Sequence, residues 1–516
     1  MVIVLGDDPG LNSSQNEQDN RHFGRMSYMP MFEPATPQEA RDMYLEAARL
    51  AAENSSAVCV RTTTHVNHAR EVVQFGPADV DPGAYDWEPR FDKRNGPYIP
   101  ITADVVPMKK RALEKLEQFG GVSDDSAFNR VLSPNGSGKE GQRLGVISAS
   151  IPAIAVLENI KESVAPVDLL KLGLTYPLPR QKLVEFLESH DEVLVVEELD
   201  RVMENEIKAL AYDSGTSCRI HARTDVADLQ GELDPGRTWK ILSEAWPDPF
   251  APREHHAPRH VVVPRLPQLC PGCGHRSAFH AIKQVMPDGA ITVADIGCHT
   301  MGYWPPYEMG EVMLCMGHSP GTGAGLSINN DKRRVIAFIG DSTFFHAGIP
   351  AMLNAMIYDH RITLVMMENG TTAMTGHQPR MGGGEIGERL DLVPMFEALG
   401  VRFVRKVDAY QQQKLGEAIA EALDHDGFSV VIAHHPCMLK FTREQRRKSP
   451  GFKMPQVQVD QDKCDQSHAC VARFGCPSFV RHEDDSVTVH EELCIGDGSC
   501  MPTCPVDALW RPKPGG

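Results

Sequence analysis

Residues 335–343 read VIAFIGDST and residues 363–372 read TLVMMENGTT. Each opens as a short apolar run of the kind that forms a buried strand, and each run stops on a polar residue, Asp341 in the first and Asn369 in the second. Twenty-six residues separate Ser342 from Asn369, and the first of them begin an apolar helix, so the strands read as parallel members of one α/β sheet. Parallel strands end on the same sheet edge. There Asp341 and Asn369 can offer side-chain oxygens to one Mg²⁺, and the ion can bridge a diphosphate. The backbone N–H groups after Ser342 would face that diphosphate with the favourable end of the helix dipole. An ordinary βα turn followed by a strand-end Asn explains the bare pattern equally well.

Working outward, the same α/β block runs from about 270 to 437, with strands near 290–296, 334–339, 362–367 and 428–433. A Pro-rich boundary at 246–268 precedes it. Upstream, strands at 144–149, 168–172 and 192–196 alternate with helices to about 162, at 179–189 and at 201–212, which implies a second small parallel sheet. The first segment gives a strand from Val2 to Leu5, a helix from Thr36 to Ala52 and a strand from Ala57 to Arg61. Residues 77–142 are Pro/Gly-rich around one helical stretch, Met108 to Gln118, and read as a connection or insertion. After 437 comes a basic run, Arg443 to Lys448, and then a 60-residue tail with ten acidic and five basic side chains.

The chain has 516 residues, 41% hydrophobic and 23% charged, with a formal net charge of −17. Such a balance excludes disordered and collagen-like classes, and no segment reaches the roughly 18–20 apolar residues of a membrane span. The negative charge disfavours nucleic acid as a partner. The reading is of a cytoplasmic protein. In that compartment 13 cysteines point to metal or redox chemistry.

Cys270 and Cys273 form a C-x2-C pair; Cys298 follows in DIGCHTMG and Cys437 in HHPC. Four such thiols suit an iron–sulfur cluster, a zinc site or simple burial. The tail holds two motifs, Cys464, Ser467, Cys470, Cys476-Pro477 and Cys494, Asp497, Cys500, Cys504-Pro505. They read as the two-cluster ferredoxin run C-x2-C-x2-C-x3-C-P with departures, among them the loss of the second cysteine of each. Because the last Cys of each run ligates the other cluster, the sets become Cys464, Cys470, Cys504 with Ser467 and Cys494, Cys500, Cys476 with Asp497. The oxygen residues either complete 4Fe-4S clusters or leave 3Fe-4S centres; loss of both clusters is the third possibility. Cys59, Cys218 and the rival proximal ligand Cys315 are expected to be buried thiols.

GDSTFFHAGIPAMLNA (340–355) and ENGTTAMTGHQP (368–379) resemble the thiamine-binding domain of indolepyruvate:ferredoxin oxidoreductase alpha subunits, a branch of the 2-oxoacid:ferredoxin oxidoreductases. GDDPGLNSSQNEQDNRHFG (6–24), RTTTHVNHA (61–69), LKLGLTYPLP (170–179), VLVVEEL (193–199) and CPGCGHR (270–276) resemble it in the same order. The resemblance implies a multidomain α/β thiamine diphosphate fold with parallel sheets and a small C-terminal α+β ferredoxin-like domain. Its parts would be a partial pyrimidine-type domain (1–76), the connection (77–142), a transketolase C-terminal-like domain (143–262), the thiamine diphosphate domain (263–440), a basic linker (441–456) and the 4Fe-4S ferredoxin-type domain (457–516).

It implies the cofactors thiamine diphosphate, Mg²⁺ and iron–sulfur clusters. The cofactor would sit on Gly340, Asp341, Ser342, Thr343, Asn369, Thr371 and Thr372, with Mg²⁺ on Asp341, Asn369 and Thr371, and Cys270, Cys273, Cys298 and Cys437 would hold a proximal 4Fe-4S cluster. The activity implied is oxidative decarboxylation of a 2-oxo acid, an aryl pyruvate such as indolepyruvate, to an acyl-CoA. Coenzyme A, ferredoxin and a smaller beta subunit would be the partners, in an oligomer. Non-oxidative thiamine-dependent decarboxylation and a catalytically incomplete electron-transfer subunit are the alternatives. His318 and His346 are candidates near the thiamine ring, Arg61 to Thr64 for a substrate carboxylate, and Glu197 and Glu198 for a proton relay or a helix start. In the family the glutamate that activates the cofactor lies before GDDPG, so this chain alone is expected to bind the diphosphate end and turn over little.

Overall fold

A computed structural model describes residues 1–76, 99–136, 143–223, 225–253, 266–330, 332–381 and 390–512. Among the described residues the chain divides into two compact units, 1–259 and 260–516.

In the first unit, Val2–Asp7, Val58–Thr63 and Met31–Phe32 lie parallel, in that order, and Leu174–Tyr176 closes the sheet antiparallel to Met31–Phe32. The helix Pro37–Glu53 packs beneath it. Thr36 caps that helix by accepting from the Glu39 amide (3.1 Å), and Pro37 pre-sets its first turn. A five-stranded sheet follows, ordered Arg130–Leu132, Val167–Leu172, Leu144–Ala149, Glu192–Val196, Arg219–His221, parallel except for its first strand. Its two faces bury separate apolar clusters, one around Val146, Val196 and Trp239, the other around Ile147, Val195 and Phe186.

The expected connection at 77–142 is more than a connection. Residues 77–98 and 137–142 lie outside the described residues, but between them the helix expected over Met108 to Gln118 runs from Thr102 to Asp125. Phe119 on it is 2% exposed and packs with Phe32, Met43 and Leu174, and Arg130–Leu132 adds an edge strand. Its flanking Pro and Gly residues masked a core element. The boundary at 246–268 likewise begins inside the core, because Trp246 and Phe250 are buried against Trp239; 254–265 lies outside the described residues.

In the second unit a parallel sheet runs Ile291–Val293, Val335–Gly340, Ile362–Glu368, Ser429–His434, Phe403–Asp408. Helices Gly274–Val285 and Gln412–Asp424 cover one face and Ser319–Ser327, Ile349–Ile357 and Leu392–Ala398 the other. The Phe403–Asp408 strand was not legible: its sequence FVRKVD puts Arg405 and Lys406 on a solvent-facing edge, which breaks the apolar run. The tail, with little periodicity of its own, forms two short antiparallel pairs, Phe479–Arg481 with Val487–Val489 and Gln458–Val459 with Leu509–Trp510. Helix Met438–Lys448 occupies the start of the expected linker 441–456; it buries Met438 and Thr442 and carries Arg446, Arg447 and Lys448 in its last turn. No helix among the described residues is long and apolar enough to cross a membrane.

Candidate cofactor site and cysteine centres

All five strands of the second sheet end on one edge, and their following residues gather the predicted chemistry there. Val335–Gly340 leads into Asp341, whose Oδ1 accepts from the Ser342 amide (2.8 Å) and whose Oδ2 accepts from the amides of Asn369 (3.2 Å) and Gly370 (2.8 Å). The Asn369 side chain in turn accepts from the Thr371 amide (3.0 Å), and Thr371 donates its hydroxyl to the Gln378 carbonyl (2.9 Å). Ser342 and Thr372 join through their hydroxyls at 2.6 Å, and Thr343 donates to the Ile296 carbonyl (3.1 Å). Gly340, Asp341, Ser342, Thr343, Asn369, Thr371 and Thr372 therefore gather at one strand-end edge. The helical run after Gly340 carries a π-turn at Phe344–Gly348, a distortion that recurs at functional sites.

Burial raises Asp341 to about 6, and the facing Arg380 offsets only part of that cost. Arg380 Nε lies 2.9 Å from Asp341 Oδ2 without hydrogen-bonding geometry, while its Nη2 donates to Glu368 Oε1 (3.2 Å). Glu368 is also buried, yet His434 and Lys406 outweigh that burial and hold it at about 2. A buried carboxylate short of positive charge beside a carboxamide oxygen is a hard-oxygen set that fits a divalent cation. Arg380 had no sequence signal: nothing in HQPRM marks it as a partner of a residue 39 positions earlier.

Cys270, Cys273, Cys298 and Cys437 line one cavity of about 260 Å³ together with Asn369, His275, His377 and His435. Burial, then the charges of Cys270 and Cys437, push the Cys298 thiol up to about 11, and Cys273 stands at about 12 from burial, with Cys298 and Cys270 adding to it. Zinc bonds of about 2.3 Å place tetrahedral thiolates about 3.8 Å apart. Among the described residues only Asp19, His22 and Asp200 bring three ligand atoms within 4.8 Å of one another, so the four thiols surround a volume rather than a point. That spacing is wider than a tetrahedral zinc site and is compatible with a cluster. The Asp19 group carries no site of its own, because Asp19 is paired with Arg21.

The tail thiols group crosswise. Cys464, Cys470, Cys504 and Ser467 line a small cavity of about 20 Å³. Cys476, Cys494 and Asp497 lie close enough to Cys500 to push its buried thiol up further. One of the remaining expectations changes. Cys59 is buried, but Cys218 is only half-buried and Cys315 is exposed, so the expectation of three buried thiols fails. Cys315 sits in a loop held open by Asp295, which accepts from the amides of Gly317 (2.8 Å) and Ser319 (3.0 Å). The His318 ring accepts from the Leu314 amide (3.0 Å) and meets the Thr322 hydroxyl (2.9 Å). His346 is exposed.

Two buried histidines stand by these residues, His275 lining the cysteine cavity and His299 with its ring beside Gly340, at 5% and 2% exposure. Burial lowers them to about 4 and about 3, so both are neutral, and His299 Nε2 has no partner. Their signal was position: each follows a cysteine of the proximal set, in Cys-Gly-His and Cys-His. In the first unit Arg61 is buried between Asp7 (2.5 Å) and Glu33 (2.6 Å). Glu197 caps helix Val202–Ser214 through the amides of Met203 (3.0 Å) and Glu204 (2.8 Å), the helix-start role. Glu198, accepting from the Leu233 amide (3.1 Å), is raised by burial to about 7.

Comparison with known proteins agrees with this geometry. Residues 295–433 match the thiamine pyrophosphate enzyme C-terminal TPP binding domain, 136–237 an indolepyruvate oxidoreductase domain and 487–510 a 4Fe-4S binding domain. The chain is 35% identical over 526 residues to indolepyruvate oxidoreductase subunit IorA of Methanothermobacter marburgensis, covering 99% of this chain and 81% of that one. The corresponding subunit of Thermococcus kodakarensis is 34% identical over 541 residues, covering 100% of this chain and 82% of its own. The 2-oxoglutarate synthase subunit KorB of Archaeoglobus fulgidus is 25% identical over 37% of this chain and 82% of its own.

Proposed function

The chain belongs to the indolepyruvate oxidoreductase subunit IorA family, and from that premise we propose how this enzyme uses its residues and what it acts on. It is a thiamine-dependent oxidoreductase of 2-oxo acids with ferredoxin. The substrate we assign is an aryl pyruvate such as indolepyruvate, with coenzyme A taking the acyl group and a smaller beta subunit completing the assembly. Thiamine diphosphate, when bound, supplies the electron sink for loss of CO₂, and iron–sulfur clusters carry the electrons away singly.

In this reading Asp341, Asn369 and the Thr371 carbonyl hold Mg²⁺, and the N–H groups opening the helix at Asp341 receive the diphosphate. Arg380 keeps the Glu368 charge compensated behind the metal ligands. Neutral His275 and His299 stand beside the site without adding charge. Cys270, Cys273, Cys298 and Cys437 hold the proximal cluster, and the two tail sets hold the distal ones.

The observation that carries the reading is the single cavity shared by the four cysteines and Asn369, because it joins the metal edge of a thiamine site to an electron acceptor. A simple decarboxylase needs no such neighbour. The test is anaerobic assay of the reconstituted chain with its small subunit, indolepyruvate, coenzyme A and ferredoxin. Acyl-CoA formed with reduced ferredoxin supports it; free aldehyde with no ferredoxin reduction assigns the non-oxidative reaction instead. The oxygen residues at two tail positions favour a second reading, an electron-transfer subunit without its own catalysis. Passage of electrons from dithionite through the chain to ferredoxin, with no consumption of indolepyruvate, would select that one.

A further inference from the structure

Ser467 and Asp497 occupy matching positions in the two tail motifs, but their surroundings differ. Ser467 is exposed, and its amide donates to Asp465 Oδ1 (3.1 Å) inside its own loop. Asp497 is half-buried and tied to the thiamine domain. Its Oδ2 accepts from the Ser499 amide (2.9 Å), and the Ser499 carbonyl accepts from Gln412 Nε2 (2.8 Å). The Tyr410 hydroxyl donates to the Gly272 carbonyl (2.7 Å) and also meets the Asp497 carboxylate, whose charge, after burial, raises the phenol.

Gly272 is the turn between Cys270 and Cys273. Its φ is +69°, and a Cβ there would stand 2.4 Å from Ile495 and 3.2 Å from the Asp497 carboxyl carbon. Only glycine lets the two chains approach so closely. On its other side the Tyr410 ring stacks on His435 with centroids 3.5 Å apart, two residues before Cys437. Tyr410 thus touches the strand end that carries one proximal cysteine, the turn between two others, and the tail carboxylate.

We propose that Asp497 is the fourth ligand of an inner tail site, with Cys476, Cys494 and Cys500, and that Tyr410 positions its carboxylate against the Gly272 turn of the proximal site. Among the described residues the Ser467 site has no such anchor, and it is the outer one, with three thiolates and a three-iron centre. The inference rests on the reading that the tail carries iron–sulfur clusters. A carboxylate is already anionic and needs no further proton loss to bind iron, whereas a serine hydroxyl does. Asp497 is also oriented in advance by the Ser499 amide and the Tyr410 hydroxyl, which lowers the cost of ligation.

The test is anaerobic reconstitution of the full chain, iron counting, and EPR of the oxidised and dithionite-reduced states. The wild-type chain should hold about eleven irons with one oxidised three-iron signal, as the cluster types require. Asp497→Ala should lose about one more iron and gain a second three-iron signal. Asp497→Cys should keep the wild-type iron count and change the reduced spectrum of one centre. Tyr410→Phe should keep the count and perturb that same centre, and Ser467→Ala should leave it untouched. A full iron count with an Asp497→Ala spectrum identical to wild type overturns the proposal alone. A wild-type count near four removes the tail clusters and takes the proposal with it.

Discussion

The proximal and tail cysteine sites answer the same chemical need on opposite structural terms. Cys298 and Cys437 follow strands of a five-stranded sheet sealed by two large apolar clusters, so their loops are held whether or not iron is bound. The tail's apolar cluster has six buried residues, of which Cys500 is one, and four of the neighbours packed on it are Cys470, Cys476, Cys494 and Cys504. There the proposed ligands are the core. A domain of that size cannot bury enough surface to fold on apolar packing alone, so its stability must come from metal and from the thiamine domain it docks on.

The largest effect should come from removing iron. Anaerobic chelation is expected to raise amide exchange across 457–512 about a thousand-fold, equivalent to about 4 kcal/mol. The strands Val335–Gly340 and Ile362–Glu368 should keep their protection. Equal loss in both regions would break the contrast. Next in size, Cys437→Ser should lower ferredoxin reduction by at least about 100-fold while leaving thermal unfolding of the sheet unchanged, and Cys464→Ser should loosen the tail with a smaller effect on substrate consumption. Turnover assays paired with calorimetry separate the two.

Docking gives a third, intermediate effect. Arg276 is 1% exposed and spans the two regions, donating to the carbonyls of Leu269, Cys270 (3.4 Å), Phe474 (3.3 Å) and Gly475. Gly475 itself sits against Pro306, where a Cβ would come within 2.7 Å. Arg276→Met is expected to cost about 3 kcal/mol, because it strands buried carbonyls, and limited proteolysis should then release the tail first.

These contrasts explain what was legible. Apolar runs ending in Asp341 and Asn369 announce two parallel strand ends, since burial on both faces forces the composition, and cysteine spacing announces which thiols group because ligand geometry constrains short loops. Arg380, Tyr410 and Arg276 were silent. Each acts on residues far away in the chain, through contacts that any buried cation or phenol could make. The core helix Thr102–Asp125 was half-hidden for a different reason: Pro107 and its Gly-rich end contradict local helix propensity, and only the packing of Phe119 pays for them.

The smallest expected effect tests how the docking surface is built. Tyr307 donates its hydroxyl to the Phe474 carbonyl (2.5 Å), the same carbonyl that Arg276 reaches, and the two side chains lie 3.4 Å apart. Tyr307→Phe removes one neutral hydrogen bond and keeps the ring that stacks on Phe279, so alone it should cost about 1 kcal/mol. In the Arg276→Met background Phe474 has already moved, and the hydroxyl has less to hold. The double variant should therefore be more stable than the sum of the single losses predicts, by about 0.5–1 kcal/mol. Strict additivity in calorimetry would mean that Arg276 and Tyr307 grip the tail independently, and the tail would then be a domain held at separate points rather than by one polar contact.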